Sequence, residues 1–136
     1  MLFVVDFNVI FSALINKGKS FKVFRDNALN KKFKFIAPEL LLEEVKNNWD
    51  KLLSLTNLSE EEFNKALSFI MEQIIFVSSS EFLENIPEAI ELNQKDSPYL
   101  ALALKFNCPI FSGDKELKEQ TKVKVFSPRE MLDNIK

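Results

Sequence analysis

The chain has 136 residues, 46% apolar and 28% charged, with 14 phenylalanines and a net charge of −2, which fits one soluble domain around a sizeable core. It has no histidine, which excludes Ser-His-Asp and Cys-His catalysis and the common zinc sites, and its single cysteine, Cys108, excludes a disulfide framework or a CxxC pair. Two glycines, Gly18 and Gly113, are too few for a P-loop or a GxGxxG turn, so catalysis, if any, falls to carboxylates.

LFVVD opens the chain as a short buried strand of the kind found in the middle of a parallel sheet. NVIFSALI reads as a helix, and Ser20 is placed to cap a second, FKVFRDNALNKK, in which Phe21, Phe24, Ala28 and Leu29 follow helical spacing. FKFIA is a second strand. Pro38 then starts a long helix, PELLLEEVKNNWDKLLS, with Leu41, Leu42, Val45, Trp49, Leu52 and Leu53 on one broad face. Ser59 and Glu62 form a capping box for a helix carrying Phe63, Ala66, Leu67, Ile70 and Met71.

IIFVS is the third strand and EFLENIPEAIEL a helix around Pro87. SPYLALALKF reads as a mostly buried helix, PIFS as strand four, DKELKEQ as a short helix, VKVFS as strand five and SPREMLDNI as the last helix. Cys108, in KFNCPIF, reads as a buried, inert thiol. Without repeats, low-complexity stretches or a linker, residues 1–136 are expected to form a single domain. Strands alternating with helices predict a parallel sheet covered on both faces. No run approaches the ~18 apolar residues of a membrane span, and the first residues lack a basic leader and cleavage site, so a cytoplasmic protein is expected.

Charge is unevenly spread. The first 35 residues carry seven Lys/Arg against two acids, whereas residues 36–100 carry four against thirteen. A basic first third can touch phosphates, or it can be a solvated helix face.

In open parallel sheets, active sites lie beyond the carboxyl ends of the strands. Asp6 ends strand one with Asn8 just behind it, Asp114 follows strand four after Ser112 and Gly113, and Asp96 stands at the mouth of the SPYLALALKF helix. Each has an ordinary reading as a helix cap. Against that, Asp6 is flanked by valines and phenylalanine, where a lone carboxylate is costly. On the Pro38 helix, Glu44 sits about 80° from the apolar stripe, within reach of a cleft, while Glu43 lies on the opposite side. Acids gathered at one sheet edge repel one another unless a cation lies between them. With no histidine and no thiolate pair, that cation is a hard one, Mg2+ or Mn2+, which suits phosphodiester hydrolysis by a metal-activated water.

Asp6 in VVDFNVIFSAL, Glu44 in APELLLEEV, Asp96 in KDSPYLALALKF and Asp114 in IFSGDKEL together resemble the acidic quartet of PIN-domain nucleases. That family includes VapC-type toxins of prokaryotic toxin–antitoxin pairs and PilT N-terminal-like ribonucleases. The resemblance runs from strand one to VKVFSPREML. It implies a three-layer αβα sandwich with a central parallel sheet of four to five strands, and metal-dependent endoribonuclease activity leaving a 5′-phosphate. It also implies that Asp6, Asp96 and Asp114 hold Mg2+ or Mn2+, with Glu44 acting directly or through water; Glu44 is favoured over Glu43 because a hydrophobic residue follows it. Asn8 and Ser112 match supporting polar positions, and Glu116 follows the last aspartate where many relatives carry another acid. Lys17, Lys19, Lys22 and Arg25 are candidates for the RNA backbone. A role as the toxin of such a pair would bring a small antitoxin partner, and a leftover apolar face would allow a homodimer.

Two other readings compete. A haloacid-dehalogenase-like phosphohydrolase also places an aspartate at the end of strand one, but its pattern needs a second aspartate where this chain has Asn8. The other is a non-catalytic module that binds RNA or a protein.

Overall fold

The computed structural model describes residues 1–16 and 18–135. Five parallel strands, β1 (Leu2–Val5), β2 (Lys34–Pro38), β3 (Ile74–Val77), β4 (Ile110–Phe111) and β5 (Val125–Phe126), form one sheet in the order β3-β2-β1-β4-β5. Eight α-helices among the described residues flank it: α1 (Phe7–Asn16), α2 (Lys19–Asn30), α3 (Leu40–Asn47), α4 (Trp49–Leu55), α5 (Glu60–Met71), α6 (Ile86–Leu92), α7 (Ser97–Phe106) and α8 (Pro128–Ile135). The result is a three-layer αβα sandwich. None of these helices is long and apolar enough to cross a membrane.

β1 is central, so both of its faces must be apolar, and Phe3, Val4 and Val5 are fully buried. Side-chain alternation and register put Phe3 and Val5 on one face with their partners Phe35 and Phe111. Phe24 of α2 closes that face, with ring centroids 5.2 Å from Phe35 and 5.7 Å from Phe111. α1, α2 and α8 pack together on this side, while α7, with small buried Ala101 and Ala103, lies close against β1, β2 and β4 and pairs with α6.

The strand order decides where a site can form. From β1 the chain moves outward to β2 and β3, then returns to the other side of β1 for β4 and β5. The order therefore reverses between β1 and β4, and the crevice beyond their carboxyl ends is the topological switch point. Asp6 follows β1 there, and Ser112, Gly113 and Asp114 follow β4.

Several local expectations are corrected. Ser20 does not cap α2: it lies inside the first turn, buried, with its Oγ 2.7 Å from Ser12 Oγ, and Gly18 stands at the cap position. Leu29 is 82% exposed, and the buried face of α2 instead uses Ser20, Val23, Phe24 and Asn27. Pro38 ends β2, level with Val77, rather than starting a helix, because a residue without an N–H fits the last position of a strand as well as the first turn of a helix.

The long helix expected after Pro38 is two. It breaks at Asn48 (φ −104°, ψ 12°), whose side-chain amide donates to the Glu44 carbonyl at 2.7 Å and competes with the regular ladder. Leu42 is consequently exposed, whereas Leu41, Val45 and Leu52 are buried. Residues 79–85 form two short 3-10 turns, so only Ile86–Leu92 is α-helix, with Pro87 in its first turn. DKELKEQ is likewise a single 3-10 turn, Leu117–Glu119, closed by Gln120, whose side chain bonds Leu117 O, Val123 O and Val123 N. The Ser59–Glu62 capping box forms in both directions, at 3.1 and 3.0 Å.

Candidate active site

β1 delivers Asp6 to the sheet edge with its backbone N–H still bonded to Phe111 O of β4 (3.1 Å) and its carbonyl accepting the first bond of α1 from Val9 N–H (3.2 Å). The backbone is thus committed to both elements, and the side chain is left buried beside the crevice, 5% exposed. Ser112 Oγ donates to Asp6 Oδ2 at 2.7 Å and accepts the Asp114 N–H at 3.0 Å. Asn8 Oδ1 accepts the Gly113 N–H at 3.2 Å. Asn8 and Ser112 therefore stitch the turn after β4 to the end of β1, and Asp114 is held in the same crevice. Asp114 Oδ1 in turn accepts the Glu116 N–H (2.9 Å).

α3 brings Glu44 to the opposite wall. Tyr99 OH, from the first turn of α7, donates to Glu44 Oε1 at 2.6 Å. Asp96 occupies the N-cap position of α7 but makes no side-chain capping bond. Its N–H is held by Asn93 Oδ1 (3.2 Å), and its Oδ2 is buried without any hydrogen-bond partner. An ordinary cap would use that oxygen on the helix N–H groups. Here it is left free, at a cost that a purely structural residue has no reason to bear.

Asp6, Asn8, Glu44, Asp96, Tyr99 and Asp114 line one cleft of about 620 Å³. Of the two neighbouring glutamates, Glu44 faces this cleft, whereas Glu43 is exposed and borders an adjoining, more apolar groove beside Leu83. Burial pushes the Asp6 carboxyl up to about 6; the Ser112 hydrogen bond opposes that rise, and the charges of Asp96, Glu44 and Asp114 add to it. Glu44 is raised by burial, against the Tyr99 hydrogen bond and with help from Asp96. Asp96 is raised by burial and then by Asp114, with Lys95 pulling the other way. Tyr99 is raised by burial and by its bond to Glu44, which keeps it a proton donor. Cys108 is half-buried, and burial pushes its thiol up to about 11, as an inert thiol requires.

The donors at this edge are oxygen atoms that disfavour each other's charge, which is the chemistry of a hard-cation site. Among the described residues no three acids converge closely enough to chelate an ion unaided. Any ion held here would therefore need ligands beyond these side chains, such as water. The orphaned Asp96 Oδ2 supplies an unused ligand atom.

Three of the basic residues expected to meet a substrate lie elsewhere. Lys19, Lys22 and Arg25 are on α2 and do not line the cleft; Arg25 pairs with Asp26 at 3.2 Å. Lys17 lies outside the described residues. Glu116 is exposed and does not line the cleft, though its charge reaches Asp96. Three polar residues of the cleft were not among the sequence-predicted site residues: Tyr99, Lys95 and Lys115. Tyr99 is the chain's one tyrosine, three positions after Asp96 and so on the same side of α7, a signal that was available. The two lysines directly adjoin Asp96 and Asp114 in sequence.

A protein-family model described as "PIN domain" matches residues 4–133. No curated protein matches significantly. Among solved structures, the chain is similar to one from VapBC2 of Rickettsia felis, crystallised bound to a DNA fragment from its promoter, with a TM-score of 0.67 at 16% identity, covering 93% of this chain and 98% of that one. It is also similar to PAE2754 from Pyrobaculum aerophilum, with a TM-score of 0.65 at 17% identity, covering 99% and 89% respectively.

Proposed function

The chain belongs to the PIN domain family, whose model spans nearly all of it, and from that premise we propose that it is a metal-dependent endoribonuclease. The observation that carries this reading is the meeting of Asp6, Glu44, Asp96 and Asp114, from four separate segments, on one cleft in which Asp96 Oδ2 is buried and unpaired.

Asp6, Asp96 and Asp114 would hold the ion, with Glu44 acting beside them. When bound, Mg2+ or Mn2+ lowers the pKa of water and stabilises charge on the leaving oxygen of a phosphodiester. The chain itself supplies the placement. Ser112 keeps one oxygen of Asp6 occupied where Asp6 lines the cleft. Tyr99 does the same for Glu44. Asn8 holds the Gly113 backbone, and with it the turn that carries Asp114. These contacts fix carboxylates that would otherwise turn away from one another, a preorganisation that metal sites depend on.

Likeness to a chain of VapBC2 extends the proposal to a toxin of a toxin–antitoxin pair, acting with a small antitoxin protein. Co-purification of the chain with the product of a neighbouring open reading frame is the expected result.

Purified protein should cleave single-stranded RNA with Mg2+ or Mn2+ and stop on addition of EDTA. Asp96→Asn should lower the rate by at least ~100-fold while leaving the circular dichroism spectrum intact. Equal cleavage by Asp96→Asn would remove that residue from the site. Turnover of p-nitrophenyl phosphate without RNA cleavage would favour a phosphohydrolase instead, and RNA binding with neither activity would favour a non-catalytic module.

A further inference from the structure

The same cleft that gathers four carboxylates carries two lysines on its lining, Lys95 and Lys115. They come from different segments, the loop before α7 and the turn after β4, and each is the direct sequence neighbour of a cleft aspartate. Both are exposed, and neither forms an ion pair among the described residues. Lys65 pairs with Glu61 at 3.4 Å, Lys122 with Glu88 at 2.8 Å, and Lys118 with Glu130, while Lys19 and Lys22 of α2 are exposed without an ion pair among the described residues; what sets Lys95 and Lys115 apart is their place on the cleft. Exposed lysines beside an acidic cleft that make no ion pair of their own are free to take an anion from outside.

A divalent cation offsets the carboxylate repulsion at one point only. A nucleic-acid strand brings further phosphates on either side of the bond to be cut, and those lie beyond the ion. Unless cationic groups meet them, the acids repel them.

We propose that Lys95 and Lys115 bind backbone phosphates next to the scissile one, so that the substrate is an oligonucleotide strand running over the cleft, and the basic face of α2 is not its track. The inference rests on the endoribonuclease reading for its substrate, but its geometry belongs to the cleft lining alone. It assigns these lysines to binding along the strand, and leaves the acids to hold the ion.

Length dependence separates this assignment from general electrostatics. A dinucleoside monophosphate has one phosphodiester and no flanking phosphate, whereas a decanucleotide has several. Lys95→Ala and Lys115→Ala should each raise KM for a fluorescein-labelled single-stranded RNA decanucleotide by roughly two- to fivefold, the size of an exposed ionic contact, with kcat little changed. Each should also reduce the slope of log affinity against log salt by about 0.7. Turnover of the dinucleoside monophosphate should not move, and Lys→Arg at either position should restore the decanucleotide KM. Lys19→Ala, Lys22→Ala and Arg25→Ala should behave as wild type. A metal-induced rise in melting temperature should persist in every lysine variant, because every acid is retained; its size in Lys95→Ala will also reflect the loss of the Lys95 charge beside Asp96.

Binding by fluorescence anisotropy, in the Asp96→Asn background, distinguishes the two levels of failure. Cleavage and binding unmoved by Lys95→Ala and Lys115→Ala, or lost instead in the α2 variants, overturns the lysine assignment and leaves the hydrolytic reading standing. Lysine-dependent binding by a protein that cleaves no RNA overturns the hydrolytic reading and supports the lysine assignment. Absence of RNA binding by every form overturns both.

Discussion

Buried polar side chains at the two ends of the sheet are treated in opposite ways. At the amino end, Asn27 of α2 is buried and saturated: its amide accepts from Phe33 N–H (2.8 Å) and donates to Phe33 O (3.0 Å) and to Gln73 Oε1 (3.3 Å). Gln73 in turn donates to Phe24 O at 3.0 Å. Phe33 and Gln73 immediately precede β2 and β3, so this neutral network ties the starts of two strands to one helix. At the carboxyl end, Asp6 and Asp96 are equally buried but acidic, mutually repelling and incompletely bonded. One end commits its polar groups to folding, and the other leaves them short of partners. Under the proposed function that shortfall marks the functional end, because an uncompensated charge inside a protein is costly.

The sharpest way to break that contrast is to neutralise one residue at each end. Asp6→Asn should cost at least ~100-fold in RNA cleavage. At neutral pH it should leave metal-free stability equal or higher, since the charge it removes is the destabilising one. Asn27→Ala should do the reverse: urea unfolding should show a loss of about 2–4 kcal/mol from the stranded Phe33 groups, with less than about twofold change in kcat. If Asp6→Asn unfolds the metal-free protein while retaining activity, the division between the two ends is wrong.

A smaller effect is expected at the boundary between structure and chemistry. Tyr99→Phe keeps the ring that packs in the core but releases Glu44 Oε1, and should lower cleavage by roughly tenfold, the usual size of a loss in a ligand's supporting contact. Since the hydroxyl steadies Glu44 without reaching substrate in this reading, the loss should appear in kcat and in metal affinity, with KM for RNA held.

The smallest effect is in pH dependence. The Asp6 carboxyl titrates at about 6 in the folded chain, above its ordinary 3.8. The folded state thus binds more protons than the unfolded one between those values, and the Asp6 contribution to stability is full below about 4 and lost as pH rises through about 6. Glu44 and Asp96 are shifted in the same direction. Glu130, lowered to about 2 chiefly by Lys118, acts oppositely and only at lower pH. The melting temperature of metal-free wild type minus that of Asp6→Asn should therefore fall between pH 4.5 and 7.5. Added Mg2+ or Mn2+ should raise the melting point more at pH 7.5 than at pH 4.5, where the Asp6 carboxyl carries a proton. A metal effect of equal size at both pH values would place the ion elsewhere.

Much of the fold was legible in the chain itself. The apolar runs LFVV, FIA, IIFV and PIF were readable as strands because short apolar segments bounded by polar residues have few other uses in a domain of this size. Ser59 and Glu62 cap as expected because both halves of the capping box are local. Local competition misled at Pro38 and Asn48. Proline suits either the end of a strand or the start of a helix, and only pairing with β3 decides for the strand. The Asn48 amide reaches back to the Glu44 carbonyl, a contact that helical periodicity does not register.

The candidate site divides along the same line. The amino-acid sequence by itself determined which residue types were available: no histidine, no thiol pair, aspartates following two of its strands, and a tyrosine and two lysines close to them. The strand order β3-β2-β1-β4-β5 was decided only by tertiary structure, and it brings Asp6 and Asp114 together although more than a hundred residues separate them. It also separated Glu44 from Glu43, left Asp96 Oδ2 without a partner, and set Lys95 and Lys115, rather than the basic residues of α2, on the cleft. Residue chemistry is carried by each position alone. Repulsion, desolvation and shared hydrogen bonds exist only between positions, and come into being when the fold makes neighbours of them.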